Sequence, residues 1–253
     1  MGLDINLIIR HGTTKSRPKK DWFHRLIYSK VNYHVAICEH LAKNVEYIIP
    51  FGKKTELKII YSSLLNIPEP KHHAKSDVIQ LLHVGRIAKG KGQEDAILAC
   101  KKLYDENIDF NLTLVGGFDE SYKEEFLRFL ENCTYKEKIK LVGHTKNVQS
   151  YLDNSDVFIF PSHGEGLSNA FLEALSNNLI CISYDNTSFP ELQKLGFYFH
   201  CVKDRDINHL QDKLLVVSNS IDLEKEKSYN NYVLATSLFS LDKELNEYLT
   251  LLI

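Results

Sequence analysis

Apolar residues along this chain follow two alternating rhythms. Short β-branched and apolar runs occur at NLIIR (6–10), HVAIC (34–38), KIIYS (58–62), VIQLLHV (78–84), FNLTLVG (110–116), IKLVG (139–143), VFIFPS (157–162), LICISY (179–184) and FYFHC (197–201). Between them lie stretches such as GQEDAILACKKLYDE, DESYKEEFLRFLENC and NAFLEALSN, where apolar residues recur at three- and four-residue steps. The first rhythm predicts strands and the second amphipathic helices. Strand–helix–strand alternation predicts an α/β fold, a mostly parallel sheet covered on both faces. Near-continuous apolar strands suit such a doubly covered sheet.

One segment breaks both rhythms. NIPEPKHHAKSD (66–77) is rich in Pro, His and Lys and reads as a linker. Residues 78–222 hold six predicted strands with helices, enough for a complete doubly wound domain. Residues 1–65 hold about three strands and two helices, which is thin for a domain. Residues 223–253 read as a helical tail, with Leu238, Leu241, Leu245, Leu249 and Leu252 as its expected buried stripe.

Composition narrows the function class. The 253 residues are 25% charged and 43% apolar, ordinary for a globular chain, and the net charge of −2 gives no global basic field for nucleic acid. No apolar run reaches the roughly 18 residues of a membrane-spanning helix, and the opening MGLDINLIIRHG lacks a signal-peptide core. Cys38, Cys100, Cys133, Cys181 and Cys201 are scattered, odd in number and form no CxxC pair, so a disulfide framework or zinc site is not expected. A cytoplasmic protein is expected.

In an open parallel sheet, ligands bind beyond the carboxyl ends of the strands. Three loops expected there carry chemistry. The first, Gly85-Arg86-Ile87-Ala88-Lys89-Gly90-Lys91-Gly92, is slim and bears three cations. It is neither a Walker loop nor a GxGxxG fingerprint. It suits a phosphate or pyrophosphate, or else is a solvated basic turn. The second, Gly143-His144-Thr145-Lys146-Asn147, either cups a nucleobase or is an ordinary connection. The third follows VFIFPS: His163-Gly164-Glu165-Gly166 turn, and a helix starts near Ser168-Asn169 with Ser168 as its N-cap. That helix start attracts a diphosphate, and Glu173, about a turn and a half inside, can accept from sugar hydroxyls. Glu173 alone is equally a favourable charge early in a helix.

Taken in order, HVGRIAKGKG, LTLVGG, KLVGHTKNVQSYLDNSDVFIFPS and GEGLSNAFLEALSNNLICIS resemble the donor-binding half of the retaining glycosyltransferases of family 4, which have the GT-B fold. Glu165 and Glu173 match that family's E-x7-E motif. The resemblance covers roughly 78–220 and implies a complete Rossmann-like donor domain behind an incomplete Rossmann-like N-terminal one. It implies that Arg86 and Lys91 hold the donor diphosphate and neutralise the leaving group. Glu173 would meet the ribose hydroxyls and Glu165 the transferred sugar. Backbone of Gly85 and of Gly166, Leu167, Ser168 and Asn169 would hold donor atoms, with His144 beside them. No metal or other cofactor is implied, because helix dipole and cations supply the positive charge. The triplet Asp204-Arg205-Asp206 imitates the metal-binding DxD of the other glycosyltransferase fold but stands just before a late helix.

The front half resembles only part of the family's acceptor domain. LIIRHGTT is similar to the strand whose following histidine approaches the donor sugar, which would make His11 an active-site residue. HVAICEHLAKNV and LKIIYSSL are similar to later strands, with Cys38 where Ser is usual and Ser62-Ser63 where Asn-Gly is usual. The opening strands have no counterpart, so a partner chain completing that domain is one expectation. Lys15, Arg17, Lys19, Lys20, Arg25 and Lys30 interleave with Trp22, Phe23, Leu26, Ile27 and Tyr28. Segment 15–30 reads either as a basic amphipathic stretch touching the inner face of the membrane or as a helix packed on its own sheet. The expected activity is sugar transfer from a nucleotide-sugar donor to a glycan or lipid-linked glycan acceptor in bacterial surface polysaccharide or lipopolysaccharide synthesis. The rival is a donor-binding subunit that does not turn over alone.

Overall fold

A computed structural model describes residues 5–65, 67–70 and 77–252. Residue 66 and residues 71–76 of the expected linker lie outside the described residues. Contacts divide the chain into two units: Met1–Asn66, Glu165–Ser168 and Thr236–Ile253 form the first, and Ile67–Gly164 with Asn169–Ala235 the second.

In the first unit the elements run β1 (Ile8–His11), α1 (Trp22–Tyr28), β2 (Tyr33–Ala36), α2 (Glu39–Ile48) and β3 (Glu56–Ile59). The strands form a parallel sheet in the order β1-β2-β3. α2 is amphipathic and buries Leu41, Ala42, Val45 and Ile48. The second unit runs β4 (Ile79–Val84), α3 (Gln93–Asp105), β5 (Phe110–Val115), α4 (Lys123–Glu131), β6 (Ile139–Gly143), α5 (Gln149–Leu152), β7 (Val157–Phe160), α6 (Asn169–Ser176), β8 (Ile180–Tyr184), α7 (Phe189–Lys194), β9 (His200–Val202), α8 (Ile207–Ser218) and α9 (Ile221–Ser228). Then α10 (Asn231–Leu238) crosses the division, and α11 (Leu241–Leu249) belongs to the first unit.

The second unit's sheet is wholly parallel, in the order β6-β5-β4-β7-β8-β9. β7 and β8 are buried at every position, which is why they read as unbroken apolar runs. Chain progression reverses between β4 and β7, so the loops leaving those two strands part on opposite sides. That switch point is where a doubly wound sheet opens a crevice. β9 starts three residues later than its sequence run, after a turn with left-handed Gly196 at φ 102°.

One expectation is corrected. Leu241, Leu245, Leu249 and Leu252 are not a buried stripe: each is more than half exposed, and Leu238 is only half-buried. A neighbouring face of α11 is fixed instead. Glu244 accepts from the Ser63 N–H at 2.7 Å, and Asn6 Nδ2 donates to the Leu251 carbonyl at 2.9 Å. Tyr248 and Leu251 pack with Val35 and Ile60. These ties rotate the helix and turn the leucines outward.

Candidate functional site

The loops leaving β4 and β7 are stapled together. Gly90 offers its carbonyl to the His163 N–H at 2.9 Å. Gly92 is left-handed at φ 88°, and a Cβ there would lie 2.5 Å from Pro161 C and O. Only glycine lets the two backbones approach this closely. His83 supports the loop from below: its Nε2 donates to the Lys91 carbonyl at 3.0 Å, and its ring stacks on Phe160. Burial pushes its pKa down to about 4, so the ring is neutral. Buried Gln93 donates from Nε2 to the Arg86 carbonyl at 3.0 Å.

The loop after β5 is joined to the same scaffold. Ile87 N–H donates to Gly117 O at 2.9 Å, and Asp119 N–H to Ile87 O at 2.8 Å. A Cβ on Gly116 would fall 2.0 Å from Gly85 O. Beyond β4, β5 and β6 a cavity of about 370 Å³ opens, lined by Gly85, Arg86, Gly116, Gly117, Phe118 and His144. Backbone groups, the rings of Phe118 and His144 and the Arg86 cation surround it, a composition that suits a nucleoside diphosphate. Arg86 lies 3.5 Å from Asp119 and is 64% exposed, free to turn toward an anion. In the sequence the glycine pair that ends LTLVGG is the signal for Gly116 and Gly117, and Phe118 carries none.

Asn169 begins α6, and Glu173 follows on its second turn. The Glu173 carboxylate is half-buried and makes no hydrogen bond or ion pair among the described residues. Burial pushes its pKa above the usual carboxylate range. A desolvated acceptor without a donor is primed for hydroxyl groups. Asp95 at the start of α3 accepts from His163 Nε2 at 2.9 Å and from Tyr184 Oη at 2.7 Å. In the sequence the only signal for His163 is its place between β7 and α6.

The remaining expected residues stand in the first unit. His11 ends β1, is 6% exposed, and shares a 2.9 Å hydrogen bond between its Nε2 and His34 Nδ1. Burial first, then Lys15 and Lys19, lower its pKa. The Glu165–Ser168 segment packs here: Gly166 offers its carbonyl to Cys38 Sγ at 3.4 Å. A Cβ at Gly166 would lie 3.0 Å from Leu41 Cδ1 and 3.3 Å from Gly12 O. Leu167 is buried beside it in sequence. So Gly85, Arg86, Lys91, His144, Asn169 and Glu173 belong to the second unit, and His11, Glu165, Gly166, Leu167 and Ser168 to the first.

Two other features have structural explanations. Asp206 caps α8 by accepting from the His209 N–H at 3.0 Å, and Asp204 accepts from Asn186 Nδ2 at 2.6 Å. A larger cavity of about 590 Å³ lies at the amino ends of β7 and β8, away from the switch point. Two of its polar side chains are matched within the protein: Asp156 pairs with Lys225 at 2.6 Å, and Asn178 Oδ1 accepts from the Tyr232 N–H at 3.0 Å.

Comparison with known proteins follows the second unit closely. The family described as "Glycosyl transferases group 1" matches residues 67–233. The capsular polysaccharide biosynthesis glycosyltransferase CapH of Staphylococcus aureus is 26% identical over 196 residues, 73% of this chain and 54% of its own. The crystal structure of TarM superposes with a TM-score of 0.80 at 16% identity, over 97% of this chain and 50% of TarM. Anabaena HepE in complex with UDP gives 0.78 at 14% identity, over 97% of this chain and 72% of HepE. These likenesses show an α/β fold of the GT-B kind. The chain spans about half the length of the curated relatives it matches.

Proposed function

The chain belongs to the group 1 glycosyl transferases, and on that premise we propose that it moves a sugar from a nucleotide-diphosphate donor to a glycan or lipid-linked glycan. The product belongs to a bacterial surface polysaccharide or lipopolysaccharide, a reading supported by the name of CapH. The UDP complex of HepE supports a uridine nucleotide as one donor class. We assign the chain to family 4, with retention of configuration and reaction in the cytoplasm.

The observation that carries this reading is the group of stapled loops at the switch point, with a cation on one and the unpartnered Glu173 carboxylate behind another. Arg86 and Lys91 bind the diphosphate and stabilise the charge that grows on the leaving oxygen. With the amino end of α6 they supply that charge without a metal ion. Glu173 accepts from the ribose hydroxyls, and Gly85 and His144 border the base. Asn169, Gly166, Leu167 and Ser168 hold donor oxygens through backbone N–H groups. Glu165 and His11 are assigned to the hydroxyls of the transferred sugar. The anomeric C–O bond breaks with its electron pair going to the diphosphate. The acceptor hydroxyl bonds on the same face and gives its proton to the departing phosphate oxygen.

A second reading is a donor-binding subunit completed by a further polypeptide. It is favoured by the first unit, where Ile5 and Leu7 beside β1 and four leucines of α11 and its end are exposed. The test is release of nucleotide diphosphate from a panel of nucleotide sugars with lipid-linked acceptor, followed by NMR of the product's anomeric proton. Acceptor-dependent release with retained configuration supports the enzyme. Nucleotide binding without release supports the subunit.

A further inference from the structure

α1 packs with the wrong face inward for a helix of a globular protein. At about 3.6 residues per turn, Trp22, Phe23, Leu26 and Ile27 share one side, and His24 and Tyr28 share the other. The polar side is the one that packs. His24 stacks on Tyr28 at 6.2 Å, and the Tyr28 ring lies 5.6 Å from that of His34. Tyr28 then joins Val45, Ile48 and Ile49. The apolar side faces out: Trp22 is 76% exposed, Phe23 51%, Leu26 59% and Ile27 47%. No residue of the helix is buried.

This is a built arrangement rather than a loose end. Asp21 caps the helix, accepting from the Phe23 and His24 N–H groups at 3.1 Å each. Lys15 exchanges two hydrogen bonds with the Asn44 side chain, and the Lys19 N–H donates to Ile48 O at 2.8 Å. The segment's backbone is thus tied to α2, with Tyr28 packed on it, while Trp22, Phe23, Leu26 and Ile27 stay exposed. The segment 15–30 carries Lys15, Arg17, Lys19, Lys20, Arg25 and Lys30, with Asp21 its sole carboxylate, in a chain whose net charge is −2.

We propose that α1 and its basic flanks are a docking surface for an anionic phospholipid bilayer, with Trp22, Phe23, Leu26 and Ile27 entering the headgroup boundary. An exposed apolar helix face within a segment rich in Lys and Arg is the composition of an interfacial helix. Protein–protein interfaces are depleted in Lys. A second copy meeting this face about a two-fold axis would set six cations against six. The inference is independent of the donor site, which lies in other residues, so nucleotide binding reports on that site separately.

Trp22 is the only tryptophan in the chain, so its fluorescence reads this surface directly. The protein is mixed with phosphatidylglycerol-containing vesicles and with phosphatidylcholine vesicles, at low and high salt, and sedimented. The expected result is a blue shift of Trp22 and co-sedimentation with the anionic vesicles only, both lost at high salt. Lys19→Gln with Lys20→Gln weakens binding on the order of tenfold. Leu26→Ser with Ile27→Ser abolishes it, with circular dichroism and nucleotide binding unchanged. Trp22 remaining in water beside anionic vesicles at low salt overturns the proposal. A blue shift that tracks protein concentration without lipid also overturns it, in favour of self-association.

Discussion

His11 Nε2 and His34 Nδ1 are 2.9 Å apart inside the first unit, and they share a single proton between two buried rings. His34 is fully buried and its Nε2 has no partner, standing against the Phe51 ring, whose centroid is 5.2 Å away. A bare lone pair is less costly to bury there than an unpaired N–H. His34 therefore donates from Nδ1, and His11 accepts at Nε2 and carries its own proton on Nδ1.

That pair makes the fold acid-sensitive. Burial, then the neighbouring His11, pushes the His34 pKa down to about 4, and burial does the same to His83. An unfolded histidine titrates near 6.5, so between about 6.5 and 4 the unfolded chain binds more protons than the folded one. Stability is therefore fully present above about 6.5 and falls as pH drops toward 4. Urea midpoints measured across that range should decline, and His83→Gln should flatten part of the slope. A midpoint independent of pH between 6.5 and 4 contradicts the buried neutral rings.

Glycines at the switch point are predicted to be intolerant. Gly116→Ala places a carbon 2.0 Å from Gly85 O, and Gly92→Ala places one 2.5 Å from Pro161. Both also force alanine to positive φ, 151° and 88°. Each is expected to cost roughly 1–3 kcal/mol and to weaken nucleotide binding. Gly164→Ala, whose nearest contact is Thr187 Cγ2 at 3.8 Å, is the control and should change stability little.

Asp95→Ala leaves Tyr184 Oη without its acceptor and His163 without its partner. About 1–3 kcal/mol of stability should be lost, seen as a lower urea midpoint. Asp206→Ala, by contrast, removes the cap of α8, worth about 1 kcal/mol, and a surface ion pair with Lys203, and should leave nucleotide affinity intact. Loss of affinity in Asp206→Ala would restore the DxD triplet as a ligand site.

Glu173 carries a trade between stability and binding. Its pKa is raised by burial, so the ionised form destabilises the empty protein at neutral pH, increasingly so as pH rises above the unfolded value. Glu173→Gln should raise the melting temperature of the free chain near pH 7 while weakening nucleotide binding. A lower melting temperature would mean that the carboxylate has a stabilising partner after all.

What the sequence reveals depends on how local the cause is. The six strands of the second unit are legible because strands buried on both faces leave continuous apolar runs, as in VFIF and ICISY. Gly92 and Gly90 are legible as a slim loop. The Asp95–His163–Tyr184 cluster is not, because its bonds join residues 68 and 89 positions apart. The facing of α11 is also hidden: both its sides carry apolar residues, and the distant Ser63 and Asn6 decide which one turns inward. For α1 the pattern shows a basic amphipathic segment, but which side packs is settled by Tyr28 meeting α2.

The donor site is the central claim, and calorimetric titration with UDP, GDP, ADP and CMP tests it most directly. Wild-type chain is measured beside Arg86→Ala and Glu173→Ala. One nucleotide should bind, and each variant should weaken it by about 1–3 kcal/mol, the size of a lost charge-assisted hydrogen bond. A folded wild-type chain that binds none of the four, or variants that bind as well as wild type, would contradict the account.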